Sequence, residues 1–181
     1  MYWPKFSERK LFLLLKKQRK AKAGCSANYI RWTKYVGLKL FLKKRVRDKA
    51  YDTQALAARH KLGPRLGSKL IEVELLYADT EDEGMVPVLR TRKWYGYFTE
   101  HMAPVERRWV WGPKREKQEI EIYEALQAIG IYHGDLHEGN VSFTRGRNRP
   151  VCIDFGPESC YTGRPRKKAI KRSDLKWSKF C

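Results

Sequence analysis

The stretch that most constrains this 181-residue chain is His133-Gly134-Asp135-Leu136-His137-Glu138-Gly139-Asn140, followed after a short basic turn by Val151-Cys152-Ile153-Asp154-Phe155-Gly156. An Asp, an Asn shortly after it and a second Asp behind an apolar strand form a chemical set. One carboxylate can orient and deprotonate a hydroxyl while the other two side chains offer oxygen ligands to a hard cation, which is what phosphoryl transfer requires. Singly, a His-Gly-Asp is ordinarily a loop and an Asp-Phe-Gly a turn; their joint order carries the reading.

A chain of this length builds one core, divided at most into lobes. No apolar run approaches the roughly 20 residues that cross a bilayer. The densest run, Leu11 to Leu15, is followed by lysines instead of a small-residue cleavage site, so a cytoplasmic protein is expected. Cys25, Cys152, Cys160 and Cys181 are scattered without a Cys-x-x-Cys pair, which predicts reduced thiols and neither a zinc site nor a disulfide framework.

The net charge of +19 is unevenly placed: residues 1–49 hold 16 Lys/Arg against 2 acids, residues 157–181 hold 8 against 2, and the centre is near neutral. Basic ends of this kind suit a polyanion such as RNA, a ribosomal particle or DNA; the plainer reading is solvated basic flanks.

In chain order, residues 7–22 read as a basic helix with Ser7 as N-cap and Leu11, Leu14 and Leu15 at helical spacing. Val36, Leu38, Leu40 and Leu42 alternate as in a strand, with Lys39 on the opposite face, where it either meets solvent or reaches a bound phosphate. A helix is expected over 46–60, ending before Gly63-Pro64. Strands are expected at 70–77, 85–89 and 94–99, the first two joined by the acidic turn Asp79 to Gly84. Glu100 to Pro104 reads as a connector between lobes. A helix over 114–129, with Ile122, Leu126 and Ile129 on one stripe and Gly130 as its cap, then delivers the chain to His133.

This order of glycine turn, strand lysine, helix, strands, connector, helix, H-x-D-x-x-x-x-N and D-F-G resembles the protein-kinase-like superfamily. The resemblance implies an α+β fold of two lobes, a small antiparallel sheet lobe and a truncated helical lobe, binding ATP and Mg2+ between them. It divides the chain into a basic N-terminal helix (1–22), a nucleotide-binding lobe (23–102), a short second lobe (103–160) and a basic tail (161–181). Val36-Gly37-Leu38-Lys39 looks like the V-A-I-K strand, which gives Lys39 the α and β phosphates. The Glu100 carbonyl and Met102 amide would meet the adenine edge beside Thr99. Asp135 would be the catalytic aspartate, Asn140 a metal ligand, and Asp154 the principal metal ligand.

The departures from ordinary protein kinases are informative. Gly24-Cys25-Ser26-Ala27-Asn28-Tyr29 looks like the G-x-x-A-x-V turn of RIO kinases and of the small kinase of the KEOPS complex, with Gly24 and Ser26 at the phosphates. The helix acid expected to pair with Lys39 falls at Asp52, one methylene shorter than the usual Glu. Gly134 and His137 stand where ordinary kinases carry Arg and Lys. H-G-D-x-x-x-x-N is instead similar to KEOPS kinases, aminoglycoside phosphotransferases and sugar or lipopolysaccharide kinases. No A-P-E motif follows Gly156, and in the 25 residues after it acceptor-binding helices are not expected. The implied function is an ATP-dependent Ser/Thr kinase or ATPase in a nucleic-acid or ribonucleoprotein context, with a protein partner completing the short lobe. A small-molecule kinase and a non-catalytic ATP-binding adaptor are the alternatives.

Overall fold

The computed structural model describes residues 4–11, 28–79, 88–102, 113–143, 150–157 and 159–175. Strands β1 (Asn28–Arg31), β2 (Val36–Phe41), β3 (Leu66–Asp79) and β4 (Val88–Glu100) form an antiparallel sheet in the order β1-β2-β4-β3. Helix α1 (Lys44–Arg59) lies between β2 and β3 in sequence. The second lobe holds α2 (Pro113–Ala128), β5 (Ile131–His133), a 3-10 turn over Glu138–Asn140, β6 (Val141–Phe143), β7 (Pro150–Cys152) and β8 (Cys160–Thr162). Within it β5 pairs with β8 and β6 with β7, both antiparallel. The result is an α+β architecture with an antiparallel sheet and few helices, as expected.

Strand alternation sorts the sheet into two differently used faces. Ile30, Val36, Leu38, Leu40, Ile71, Val73 and Phe98 are buried on one face with Trp32 and Leu11. The chain N-terminal to the sheet helps cover it. Residues 8–11 are helical, the Lys10 amide donates to Ser7 Oγ at 3.4 Å, and Phe6 stacks on Trp32. The rest of the expected 7–22 helix lies outside the described residues. On the other face, Phe41 and Tyr97 bury against Ala50 of α1.

Helix α1 has no side-chain cap but is anchored by Arg47, which is 1% exposed. Its guanidinium meets Asp48 Oδ1 at 2.6 Å, Glu72 Oε1 at 3.6 Å and the Ile71 carbonyl at 3.4 Å, so the buried charge is partnered.

One expectation needs correcting. Val88 and Leu89, the described part of the strand expected at 85–89, and the strand expected at 94–99 belong to a single strand, β4, paired with β3 as far as Asp79↔Val88; residues 80–87, with most of the expected acidic turn, lie outside the described residues. The charged Arg92-Lys93 interrupts apolar alternation without ending the strand, because residues 91–93 are exposed and need no apolar face. Lys93 sits opposite Glu74, a favourable cross-strand pair.

Helix α2 turns its Ile122, Tyr123 and Leu126 into the second lobe's core with Ile131, Val141, Val151, Cys152, Phe155 and Cys160. It ends at Gly130, where φ is +84° and an added Cβ would lie 2.4 Å from the Gly163 carbonyl oxygen, so glycine is required twice over. The stretch read as a basic tail packs on this lobe. The Arg166 amide donates to the Gln127 carbonyl and the Ile170 amide to Glu124 Oε1, and Ile170 and Leu175 are buried in the same core. No described helix is long and apolar enough to cross a membrane.

Candidate active site

A cleft of about 600 Å³ opens between the lobes, lined from the sheet by Tyr29, Lys39 and Thr99, from the connector by Glu100, His101 and Met102, and from the second lobe by Gly139, Val141, Ser142, Ile153 and Asp154. Five of the residues singled out in the sequence thus share one wall or another of it. Gly24 and Ser26 lie outside the described residues.

Lys39 reaches the cleft because β2 pairs with β4 in the register Lys39↔Tyr97, which puts it on the inner face of the sheet. Burial pushes its ammonium below the ordinary lysine range, and the Asp154 carboxylate pulls it partly back. Asp154 stands at the end of the Ile153-Asp154 turn with φ of +61°, a left-handed conformation that Asp tolerates better than most residues. Ser159 Oγ donates to its Oδ2 at 3.3 Å.

Asp135 and Asn140 are tied to each other. Asn140 is 6% exposed, and its Nδ2 donates to the Asp135 carbonyl at 2.9 Å and to Asp135 Oδ2 at 3.3 Å. With the amide nitrogen engaged, Oδ1 is the atom left for a metal ion. The Ile153 amide donates to the Asn140 carbonyl at 2.7 Å, which fixes the Asp154 turn to the Asp135 loop.

Two histidines hold this loop, and their neighbours define their tautomers. His133 Nδ1 faces the Asp135 amide at 3.3 Å and must accept; Nε2 therefore carries the hydrogen and donates to the Ile153 carbonyl at 3.2 Å. Burial pushes the His133 imidazole below the usual histidine range, consistent with a neutral ring. His137 Nδ1 accepts from the Gly139 amide at 3.0 Å, so Nε2–H points at Asp135 Oδ2, 3.1 Å away. The Tyr123 hydroxyl of α2 adds a donor to the His137 carbonyl at 3.1 Å.

Asp52 is not brought to Lys39. It is exposed on α1 and lines a separate concavity with Tyr51, Arg59, Arg65 and Leu66. Gln54, fully buried on another side of α1, is the polar residue that faces the inner sheet: Nε2 donates to Thr99 Oγ1 at 2.7 Å and Oε1 accepts from the Tyr97 hydroxyl at 3.1 Å. Thr99 Oγ1 also donates to the Arg65 carbonyl at 3.3 Å, so its hydroxyl is occupied within the protein.

Sequence reading also passed over Tyr29 and His101, whose side chains meet at 2.6 Å across the cleft. The signal available was Gly37, since a glycine inside a strand marks a close approach. Cys152 and Cys160 are buried thiols, both pushed up by burial, and Cys160 Sγ lies 3.7 Å from the Asp154 carbonyl.

Among the described residues no cluster of three His, Cys, Asp or Glu side chains forms a ready-made metal cage. Asn140 Oδ1 and the Asp154 carboxylate are oxygen donors of the kind that suits an ion taking its remaining ligands from phosphate and water, as Mg2+ does.

No curated protein sequence matches the chain. Among solved structures, 17 chains match. One is the Cydia pomonella granulovirus kinase PK-1, at 9% identity and a TM-score of 0.49; the alignment covers 86% of this chain and 60% of that one. The model of the phosphotransferase enzyme family matches residues 20–160, from the start of the sheet lobe past the Asp154 turn. The chain belongs to the phosphotransferase enzyme family.

Proposed function

We propose that this phosphotransferase uses ATP and Mg2+ and transfers the γ-phosphoryl group to a hydroxyl acceptor. The observation that carries the reading is the joint placement of Lys39 and Asp154 on one cleft, with Asp135 and Asn140 hydrogen-bonded beside it. Lys39 would hold the α and β phosphates, and the backbone of Glu100 and Met102 the adenine edge. Asn140 Oδ1 and Asp154 would hold the cation. Magnesium, when bound, neutralises charge on the β- and γ-phosphate oxygens. Asp135 orients the acceptor hydroxyl and accepts its proton, while His137 Nε2–H keeps the other carboxylate oxygen engaged. Asp52 has no part in this arrangement.

For the acceptor we favour a Ser/Thr hydroxyl, or water, in a ribonucleoprotein setting in the cytoplasm. Support comes from the RIO and KEOPS likeness of the glycine turn and from the exposed Arg164, Arg166, Lys167, Lys168 and Lys171 on the lobe that carries Asp135. A protein partner would add acceptor-binding surface. Family membership favours a second reading, a small hydroxylated acceptor such as a sugar or aminoglycoside.

The test is ATP turnover by wild type, Asp135→Ala and Asp154→Ala with RNA, a Ser/Thr protein substrate, sugars or aminoglycosides added in turn. Turnover stimulated by RNA or by protein supports the first reading; phosphorylation of a small molecule supports the second. If wild type neither binds Mg-ATP nor turns it over, and the variants behave identically, the enzyme reading fails.

A further inference from the structure

The strand that delivers the chain to Asp135 turns an aromatic pair outward, away from the core of its lobe. In β5 Ile131 and His133 are buried while Tyr132 faces the other way, and the antiparallel register sets Tyr132 directly opposite Tyr161 of β8. The two rings stack at 5.0 Å between centroids and 10° between planes, and Tyr161 is 56% exposed. The Arg166 guanidinium lies over the Tyr132 ring, 5.7 Å from its centroid. Backbone bonds lay the chain after Tyr161 along this pair: the Gly163 amide donates to the Gly130 carbonyl at 2.8 Å, the Tyr132 hydroxyl to the Arg164 carbonyl at 2.6 Å and the Arg166 amide to the Gln127 carbonyl at 3.0 Å. The acids beside it are spent on amides, Glu124 on Ile170 at 2.9 Å and Asp174 on Lys171 at 3.0 Å. The side chains of Arg164, Arg166, Lys167 and Lys168 are exposed and, among the described residues, form no ion pair. A positioned stripe of positive charge thus borders an outward aromatic face.

We infer that Tyr161, stacked on Tyr132 and bordered by Arg164, Arg166, Lys167 and Lys168, is the stacking platform of a surface that binds single-stranded nucleic acid. Charge alone would suit any polyanion; the flat exposed ring chooses among them. A duplex keeps its bases inside the helix and a sulfated sugar has none, so either would engage the cations and leave the ring idle. An unpaired strand offers a π face at each nucleotide together with the phosphates that the cations hold. The platform adjoins the loop that carries Asp135, since Tyr132 and Tyr161 neighbour the His133↔Cys160 pair and the Gly134 amide donates to the Ser159 carbonyl just beyond it. The inference rests on the ribonucleoprotein setting proposed above for the kind of ligand. It uses no residue of the cleft and is independent of the ATP-dependent reading.

The test measures binding of a labelled oligouridine of about 12 nucleotides and of its deoxythymidine counterpart to the full chain by fluorescence anisotropy at several salt concentrations. A duplex of the same length and heparin are measured in parallel. Tyr161→Ala should weaken single-strand binding roughly tenfold without changing its salt dependence, and should leave duplex and heparin binding as in wild type. Tyr161→Phe keeps the ring and should stay near wild type. Tyr161→Leu keeps apolar packing on Tyr132 without a flat π face; it should lose as much as the alanine variant, and it decides the question if that variant does not fold. Replacing Arg166, Lys167 and Lys168 together by Gln should reduce the slope of log affinity against log salt by about 2. Equal single-strand affinity in wild type and the ring-less variants, or an equal loss toward duplex and heparin, overturns the platform and leaves a surface that binds by charge alone. Wild type that binds neither oligonucleotide overturns the platform and the ribonucleoprotein setting together. Ring-dependent binding of the deoxy strand alone supports the platform and overturns that setting. None of these outcomes bears on Mg-ATP binding.

Discussion

Asn140 donates one amide nitrogen to both the backbone carbonyl and the carboxylate of Asp135, at 2.9 and 3.3 Å. The bond couples two proposed roles, since it orients the residue proposed to receive the acceptor's proton and leaves Oδ1 as the atom of Asn140 for the proposed cation. Asp135→Asn is therefore expected to reduce turnover by about 10²- to 10⁴-fold with little change in Mg-ATP affinity. Asn140→Asp replaces the donor with a second carboxylate facing Asp135 and should lower turnover at least as far. Steady-state kinetics beside equilibrium ATP binding checks both; parallel loss of binding in Asp135→Asn would contradict the assigned role.

Gln54 predicts a stability effect with a defined partner. Gln54→Ala leaves the Tyr97 hydroxyl and Thr99 Oγ1 without their buried partner and should cost about 2–3 kcal/mol in urea unfolding. Combined with Tyr97→Phe, the loss should be less than the sum of the single effects, because the two side chains share one bond.

His133 predicts a pH dependence. Its folded-state pKa is lowered below the usual 6.5, so the unfolded chain binds a proton that the folded chain refuses. Its contribution is complete above about pH 6.5 and is lost as pH falls from there toward the folded value. His133→Gln should flatten the decline in unfolding free energy between about pH 7 and 5, even where its stability at pH 7 is lower. An unchanged slope would assign that decline to other groups.

Asp52 predicts a negative result. As an exposed residue remote from the cleft lining, Asp52→Ala should shift stability by no more than about 0.5 kcal/mol and leave ATP affinity near wild type. A loss of nucleotide affinity comparable to that of Lys39→Met would restore the helix acid to the site.

Residues near one another in sequence are the easiest to read together: Asp135, Asn140 and Asp154 lie in one short segment, so spacing alone puts them in one neighbourhood. The helix over 113–128 and the cap at Gly130 follow from periodicity and a glycine, both local signals. The long β4 was less legible, because its exposed Thr91, Arg92 and Lys93 offer no alternation to read.

What the sequence determined by itself is the set of candidate site residues and the order of the elements that bear them. Tertiary structure decided which side chains of α1 and the sheet meet the cleft. Rotation of a helix about its axis depends on how it packs, and here buried Arg47, Ala50, Gln54 and Ala57 set that rotation and leave Asp52 outside. The register of β1 on β2 likewise placed Tyr29 diagonal to Gly37. Neither follows from spacing along the chain, since each is fixed by residues brought together only when the sheet and helix close on one another.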